Sequence, residues 1–281
     1  MAARLKLSSS RVLLVTVFVA FFCRDILAFD HHHSAWDALL KRHVVISESG
    51  NASRVDYAGF QSNRNALRAY LANLSAVAPA HYADWSRAQK LAFLINAYNA
   101  FTIELILRSY PELTSIKDLG NLLRSPWEIE FFGLLGKTRS LDDIEHGLIR
   151  EPGIFDEPRI HFAVVCASVG CPMLRDEAYT EDHLEAQLQD GMIRFLSDRS
   201  RNYFDASSRS LRVSRLFDWY AGDFERAQDE SRSVEDLFRH LAAILTDDPY
   251  TEREVGFGNY LIRYLDYDWS LNDVSGQGVT R

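Results

Sequence analysis

Basic charge is scarce in this 281-residue chain: 31 Lys and Arg stand against 39 Asp and Glu, a formal net charge of -8. That balance excludes a basic nucleic-acid footprint and gives no attraction to anionic lipid. Sulfur is scarcer still, with three cysteines and three methionines. No Gly-rich phosphate loop, no G-x-S-x-G elbow and no H-E-x-x-H pair occurs, so the familiar signatures of nucleotide binding, serine hydrolysis and zinc proteolysis are missing. Repeats and long linkers are absent as well. The remaining composition, 47% hydrophobic and 25% charged, is that of an ordinary folded chain with ample material for a core.

The first apolar run, Val12 to Cys23, follows Arg4, Lys6 and Arg11. It is shorter than the roughly 20 residues that span a bilayer, so residues 1–28 read as a secretory signal cleaved after Ala28, giving a periplasmic or secreted protein. A retained anchor is the alternative, and a lipid attachment at Cys23 is disfavoured by the bulky Phe21 and Phe22. No stable membrane span is expected in the mature chain. Cleavage leaves Cys166 and Cys171 as the only thiols, in an oxidising compartment that permits a disulfide. The histidines at 31–33 read as a mobile N-terminus with weak metal affinity at most.

Periodicity then predicts helices over "SAWDALLKRHVV", with Trp36, Leu39, Leu40 and His43 on one face, and over "NALRAYLANLSAV". The strongest helical signal runs from an Asp84 N-cap to about Arg108 and ends before Pro111. It is apolar nearly all round, hence central. "PWEIEFFGLLGKTRS" predicts strands about a Gly turn, and "SLDDIEHGLIR" a helix capped by Ser140. "RIHFAVV" reads as a buried strand, "EDHLEAQLQDGMIRFLSD" as a helix, and "YFDASSRSLRVSRLFDWY" as a hairpin. The expectation is an α+β fold: a single mostly helical domain over 35–273 with a small buried sheet, and a loose tail at 274–281.

Three constellations can carry chemistry. In "RIHFAVVCASVGCP" a histidine precedes two thiols, and Cys171-Pro172 can open a helix, whose N-terminus lowers a thiol pKa. On a strand His161 and Cys166 would face opposite sides, which makes His161 a poor partner for Cys166. In "LDDIEHGLIR", Asp142 and Asp143 lie one helical turn before His146 and can orient it, whereas Glu145 points elsewhere. On the central helix Gln89, Asn96 and Asn99 form a polar stripe; buried amides of this kind bind loop backbone or orient a catalytic group. A zinc set of His161, Cys166, Cys171 and His146 matches no tight spacing.

"KLAFLINAYNAFTI", "LDDIEHGLIR", "RIHFAVVCASVGCPML", "LFDWYAGDF" and "YLDYDWSLN" occur in this order. Together they resemble the domain of unknown function 547 family from roughly Asp56 to Asn272. The resemblance implies that Asn96, Asn99, Glu145, His146, His161, Cys166, Cys171 and Pro172 are motif residues, and it confers no activity. Leu94 departs from the aromatic residue often found there.

The leading expectation is a cysteine-dependent hydrolase or acyltransferase acting on amide or ester bonds. Cys166 is the nucleophile, His146 the base, Asp142 or Asp143 its orienter, and Asn96 or Asn99 a donor to a loop or an oxyanion. Cys171 and His161 are further site candidates. No cofactor or metal is expected, and the substrate or protein partner is undefined. The rival is a non-catalytic binding or scaffold domain with a structural Cys166/Cys171 pair. A redox-active dithiol is a third reading, with a spacing unlike the usual one.

Overall fold

The computed structural model describes residues 29–121, 124–226 and 233–276; the expected signal, Cys23 and most of the tail lie outside them. Helix α1 (Ser34–His43) buries the four residues its spacing predicts and leads into the hairpin β1 (Val44–Ile46) and β2 (Ser53–Val55). Helices α2 (Tyr57–Ser62), α3 (Arg64–Ser75) and α4 (Pro79–Ala83) follow. Two of the three histidines expected to be mobile are instead packed. His33 is buried with its Nδ1 2.7 Å from the Tyr70 hydroxyl, and His31 packs edge-on against Trp85. Phe29 and Trp85 supply apolar surface that the sequence pattern alone did not assign to them.

Helix α5 (Arg87–Leu107) is the axis of the molecule, buried without interruption from Leu91 to Leu107. Its cap is Ser86 rather than Asp84. The Ser86 hydroxyl accepts from the Gln89 N–H at 3.1 Å while the Gln89 side chain accepts from the Ser86 N–H at 2.9 Å. This reciprocal box satisfies two orphan amides, which Asp84 is not placed to do. Among the described residues α5 alone is long and apolar enough to cross a membrane, and 94% of its most apolar window is buried inside the protein. Its one buried carboxylate, Glu104, is held by Arg64 at 2.9 Å.

The expected Gly turn follows: β3 (Phe132–Leu134) pairs with β4 (Lys137–Arg139) across Leu135-Gly136, both at positive φ, as a tight hairpin turn requires. The Ser140 helix forms, but it is wound as a π-helix over Asp143–Ile149, closed by the Arg150 N–H on the Glu145 carbonyl. The expected strand at "RIHFAVV" is not one. Residues Pro158–Phe162 form a 3-10 turn opened by proline, and Ala163 to Cys171 continue as loop. A short apolar run fits a strand or a buried irregular segment equally, and among the described residues no strand pairs with this one.

Helix α6 (Leu184–Leu196) then leads to β5 (Tyr203–Asp205) and β6 (Ser210–Val213), the expected hairpin. Helices α7 (Leu216–Trp219), α8 (Ala221–Arg226), α9 (Val234–His240), α10 (Ala242–Leu245) and α11 (Pro249–Phe257) precede β7 (Leu261–Tyr264), which pairs parallel to β6. The fold is α+β, with helices dominating and small two- and three-stranded sheets. Two apolar clusters share it. One surrounds α5; the other gathers Phe162, Phe195, Phe217, Phe224 and Phe238.

Candidate functional site

Between these clusters lies a cleft of about 210 Å³. Residues of the α5 side, Tyr98, Val164 and Cys171, face residues of the second cluster, Leu216, Tyr220 and Tyr267, with Cys166, His146 and His161 also in its wall. The fold therefore brings both candidate histidines and both thiols to one opening.

The thiol loop is clamped from two directions. From α5, the Asn99 amide donates to the Ala163 carbonyl at 2.9 Å and its oxygen accepts from the Val165 N–H at 2.9 Å. Asn96 does the same one turn earlier, at 2.7 and 3.0 Å, on the Tyr179 backbone. Both amides are buried and hydrogen-bonded to loop backbone, the loop-holding role, and neither is among the residues that line the cleft. From the other side the closing segment zips onto the loop. Val169 donates to Ser270, Gly170 to Asp268, and Asn272 to Ala167. A Cβ on Gly170 would meet the Asp268 backbone at 3.0 Å, so a larger residue would push the two segments apart by a few tenths of an ångström. Ala167, next to the thiol, is held at φ 61 in the left-handed region, a costly state for a side-chain-bearing residue in a loop so constrained.

At the loop's start the Cys166 sulfur lies 2.8 Å from the Cys171 sulfur, 3.1 Å from the Ser168 hydroxyl and 3.2 Å from the Tyr267 hydroxyl. Cys166 is partly exposed and Cys171 is buried. Burial pushes the Cys166 thiol up, but hydrogen bonding from Cys171, Ser168 and Tyr267 to the thiolate outweighs it and brings the pKa down to about 7. Burial and the neighbouring sulfur drive Cys171 the other way, so the two thiols are unequal.

The histidines also differ. His146 is half exposed; its Nδ1 meets an Arg150 N–H at 2.5 Å and its Nε2 lies 3.7 Å from Asp142. Because Arg150 can only donate, the Nδ1 lone pair is already occupied. Asp143 turns back to cap Ser140 at 2.8 Å and takes no part in the cleft, which corrects its expected role beside His146. His161 is buried, with Nε2 2.8 Å from the Asp223 carboxylate and its ring stacked on Tyr220 at 3.8 Å. Its Nδ1 has no partner. Burial works against the Asp223 charge, yet His161 and Arg150 hold its carboxyl well below the usual range, while burial lowers His161 itself. At neutral pH the pair is carboxylate and neutral imidazole, with the Nε2–H donating to Asp223 and the Nδ1 lone pair left without a partner. Tyr220 in turn donates to Glu145 at 2.9 Å.

Without a strand, alternation does not separate His161 from Cys166: the 3-10 turn and the loop after it bring both to the cleft wall. Glu145, expected to point away, is buried there too. Asp223 and Tyr220 carried a signal that went unused, since "DWYAGDF" places them one helical turn apart, where they reach the same ring. Among the described residues no direct hydrogen bond joins either histidine to a sulfur, and no group of three or more metal-ligating side chains forms.

Comparison with curated proteins and with solved structures gives no match. Residues 82–196 match the family described as "Protein of unknown function, DUF547". That stretch holds α5, the π-helix and the thiol loop, whereas Tyr220, Asp223 and Tyr267 lie beyond it. The match over residues 82–196 supports an assignment to the DUF547 family.

Proposed function

We propose that the protein is an exported cysteine-dependent hydrolase or acyltransferase acting on amide or ester bonds, with Cys166 as nucleophile, His161 as general base and Asp223 as its positioning residue. The observation that carries this reading is the unpartnered Nδ1 of a carboxylate-bound histidine in the same cleft as a thiol of lowered pKa. The base moves from His146 to His161 because the Nδ1 of His146 is engaged by Arg150.

In the proposed reaction the Cys166 sulfur bonds to the substrate carbonyl carbon while the thiol proton passes to His161 Nδ1. The tetrahedral adduct collapses, the C–O or C–N bond breaks, and the leaving group takes that proton. Water or another acceptor then gives a proton to His161 as it attacks the thioester, and Cys166 departs as thiolate and recovers the proton. Substrate bound between the two groups closes the gap that the free site leaves.

Reduced protein given a p-nitrophenyl ester tests this. The expected result is a stoichiometric p-nitrophenolate burst with one acyl group on Cys166, absent in Cys166→Ala. The burst slows about 100-fold or more in His161→Gln and less than about threefold in His146→Gln. A burst that survives Cys166→Ala, or its absence from the unmodified protein, overturns the proposal. The 2.8 Å separation of the sulfurs favours a second reading, a Cys166–Cys171 bond. Full crosslinking that resists mild reductants, found by mass spectrometry of unreduced protein, supports the structural pair instead.

A further inference from the structure

Three of the five tryptophans, Trp127, Trp219 and Trp269, line the cleft together with Asp142 and Glu145. Trp219 lies across Trp269 at 5.7 Å, Trp127 meets Trp269 edge-on at 5.8 Å, and Tyr267 approaches Trp269 at 4.5 Å. Trp219 is 42% exposed, so its surface remains open to a ligand. No lysine or arginine is among the described residues of the cleft wall. Arg150, just behind it, is committed to Asp223 at 2.5 Å and to the Tyr220 ring at 4.6 Å. The wall thus has aromatic faces, two carboxylates and a thiol that ionises near neutrality, with His146 as its only exposed base.

From this arrangement we infer that the cleft selects a substrate bearing an alkylammonium group, seated on the tryptophan faces beside Asp142, within reach of the Cys166 thiol. A ring face attracts a cation through its quadrupole, and the attraction grows where water is excluded. The cluster already holds one such group: Lys117 places its ammonium 4.7 Å from the Trp269 ring. An anionic substrate would meet Asp142, Glu145 and the thiolate, and among the described residues of the cleft wall there is no lysine or arginine to receive it. Asp142 is itself short of positive charge, because burial raises its pKa and His146 opposes this only in part while Glu145, Glu128 and Asp143 add to it. This specificity rests on the proposed nucleophile, and the test separates the two.

Reduced protein is treated with methanethiosulfonate reagents bearing a trimethylammonium, a sulfonate or no charge, and each rate is divided by that of free cysteine. The cationic reagent is expected to modify Cys166 at least about tenfold faster than the neutral one, and the sulfonate at least about tenfold slower. The preference persists in 0.5 M NaCl, where a diffuse field is screened within about 5 Å, and it collapses in Trp219→Ala and Asp142→Asn. Fast but charge-blind modification overturns the specificity and leaves the nucleophile standing.

Cys166 that resists all three reagents removes the nucleophile instead. The seat is then read by tryptophan fluorescence of Cys166→Ala. N-acetyl-lysine amide and pentane-1,5-diamine are compared with N-acetyl-norleucine amide and pentan-1-ol. Saturable quenching at least about tenfold tighter for a cation than for its neutral counterpart supports the seat, and the stronger of the two cations separates a peptide side chain from a free diamine. Equal binding of each pair overturns it.

Discussion

At Cys166 three neutral donors act in place of a cation. Ser168 precedes the loop's turn, Cys171 ends it, and Tyr267 arrives from about a hundred residues away. A hydrogen bond to a charged group contributes about 1.5–3 kcal/mol, and 1.36 kcal/mol is one pKa unit. Tyr267→Phe is therefore expected to raise the Cys166 pKa from about 7 by about one unit, read from the pH dependence of alkylation; an unchanged value would remove Tyr267 from the account. The Asn99 clamp differs in kind. Asn99→Ala strands a buried carbonyl and a buried N–H, and is expected to cost about 2–4 kcal/mol in urea unfolding. Its role was legible because an amide in an apolar helix must bind something. The His161–Asp223 pair was not, because nothing local in "RIHF" points to a carboxylate 62 positions later. Asp223→Asn is expected to slow acylation about 100-fold or more while leaving alkylation of Cys166 within about twofold, since only the first reaction needs an oriented base.

Elements were legible where their period was long and their ends were marked. The helices α1, α3 and α5, the β3–β4 hairpin and the β5–β6 hairpin all lie where periodicity or turn chemistry put them. Two segments at the site were not. "RIHFAVV" is as apolar as a strand but pairs with no strand among the described residues, and "DIEHGLI" widens an otherwise helical pattern to hydrogen bonds five residues apart, a change that composition does not announce. Both carry cleft residues, so the irregular geometry is where the chemistry sits. The closing segment shows the same dependence on close contact. In Gly170→Ala the new methyl group meets the Asp268 backbone, and the account expects this to push Tyr267 and Trp269 away from Cys166. The thiol pKa should rise as in Tyr267→Phe, with a loss of stability besides; a variant with the original thiol pKa would contradict this.

Across the whole molecule, burial of histidine sets the response to acid. His33, held at about 3, and His161 are both lowered chiefly by burial. Folded, they stay neutral; unfolded, they bind protons below about 6.5. The unfolded state thus gains protons as pH falls, and stability drops by about 1.4 kcal/mol per pH unit for each such group, from about pH 6.5 until the folded group titrates. Asp223, lowered in the fold, works in the same direction at still lower pH. The melting temperature is expected to decline steadily from pH 6.5 to 4.5, faster than in His33→Phe; a flat profile would show that these rings are not buried neutral.

The shared cleft between the two apolar clusters, with an ionisable Cys166 at its wall, is the claim on which the rest depends. The most direct measurement is the rate of iodoacetamide alkylation of each thiol in reduced protein from pH 5 to 10, with the modified residue identified by mass spectrometry. The account predicts that Cys166 reacts first, with an apparent pKa near 7, while Cys171 stays protected. Reaction at Cys171 first, or at neither thiol until the pH reaches that of free cysteine, would contradict it.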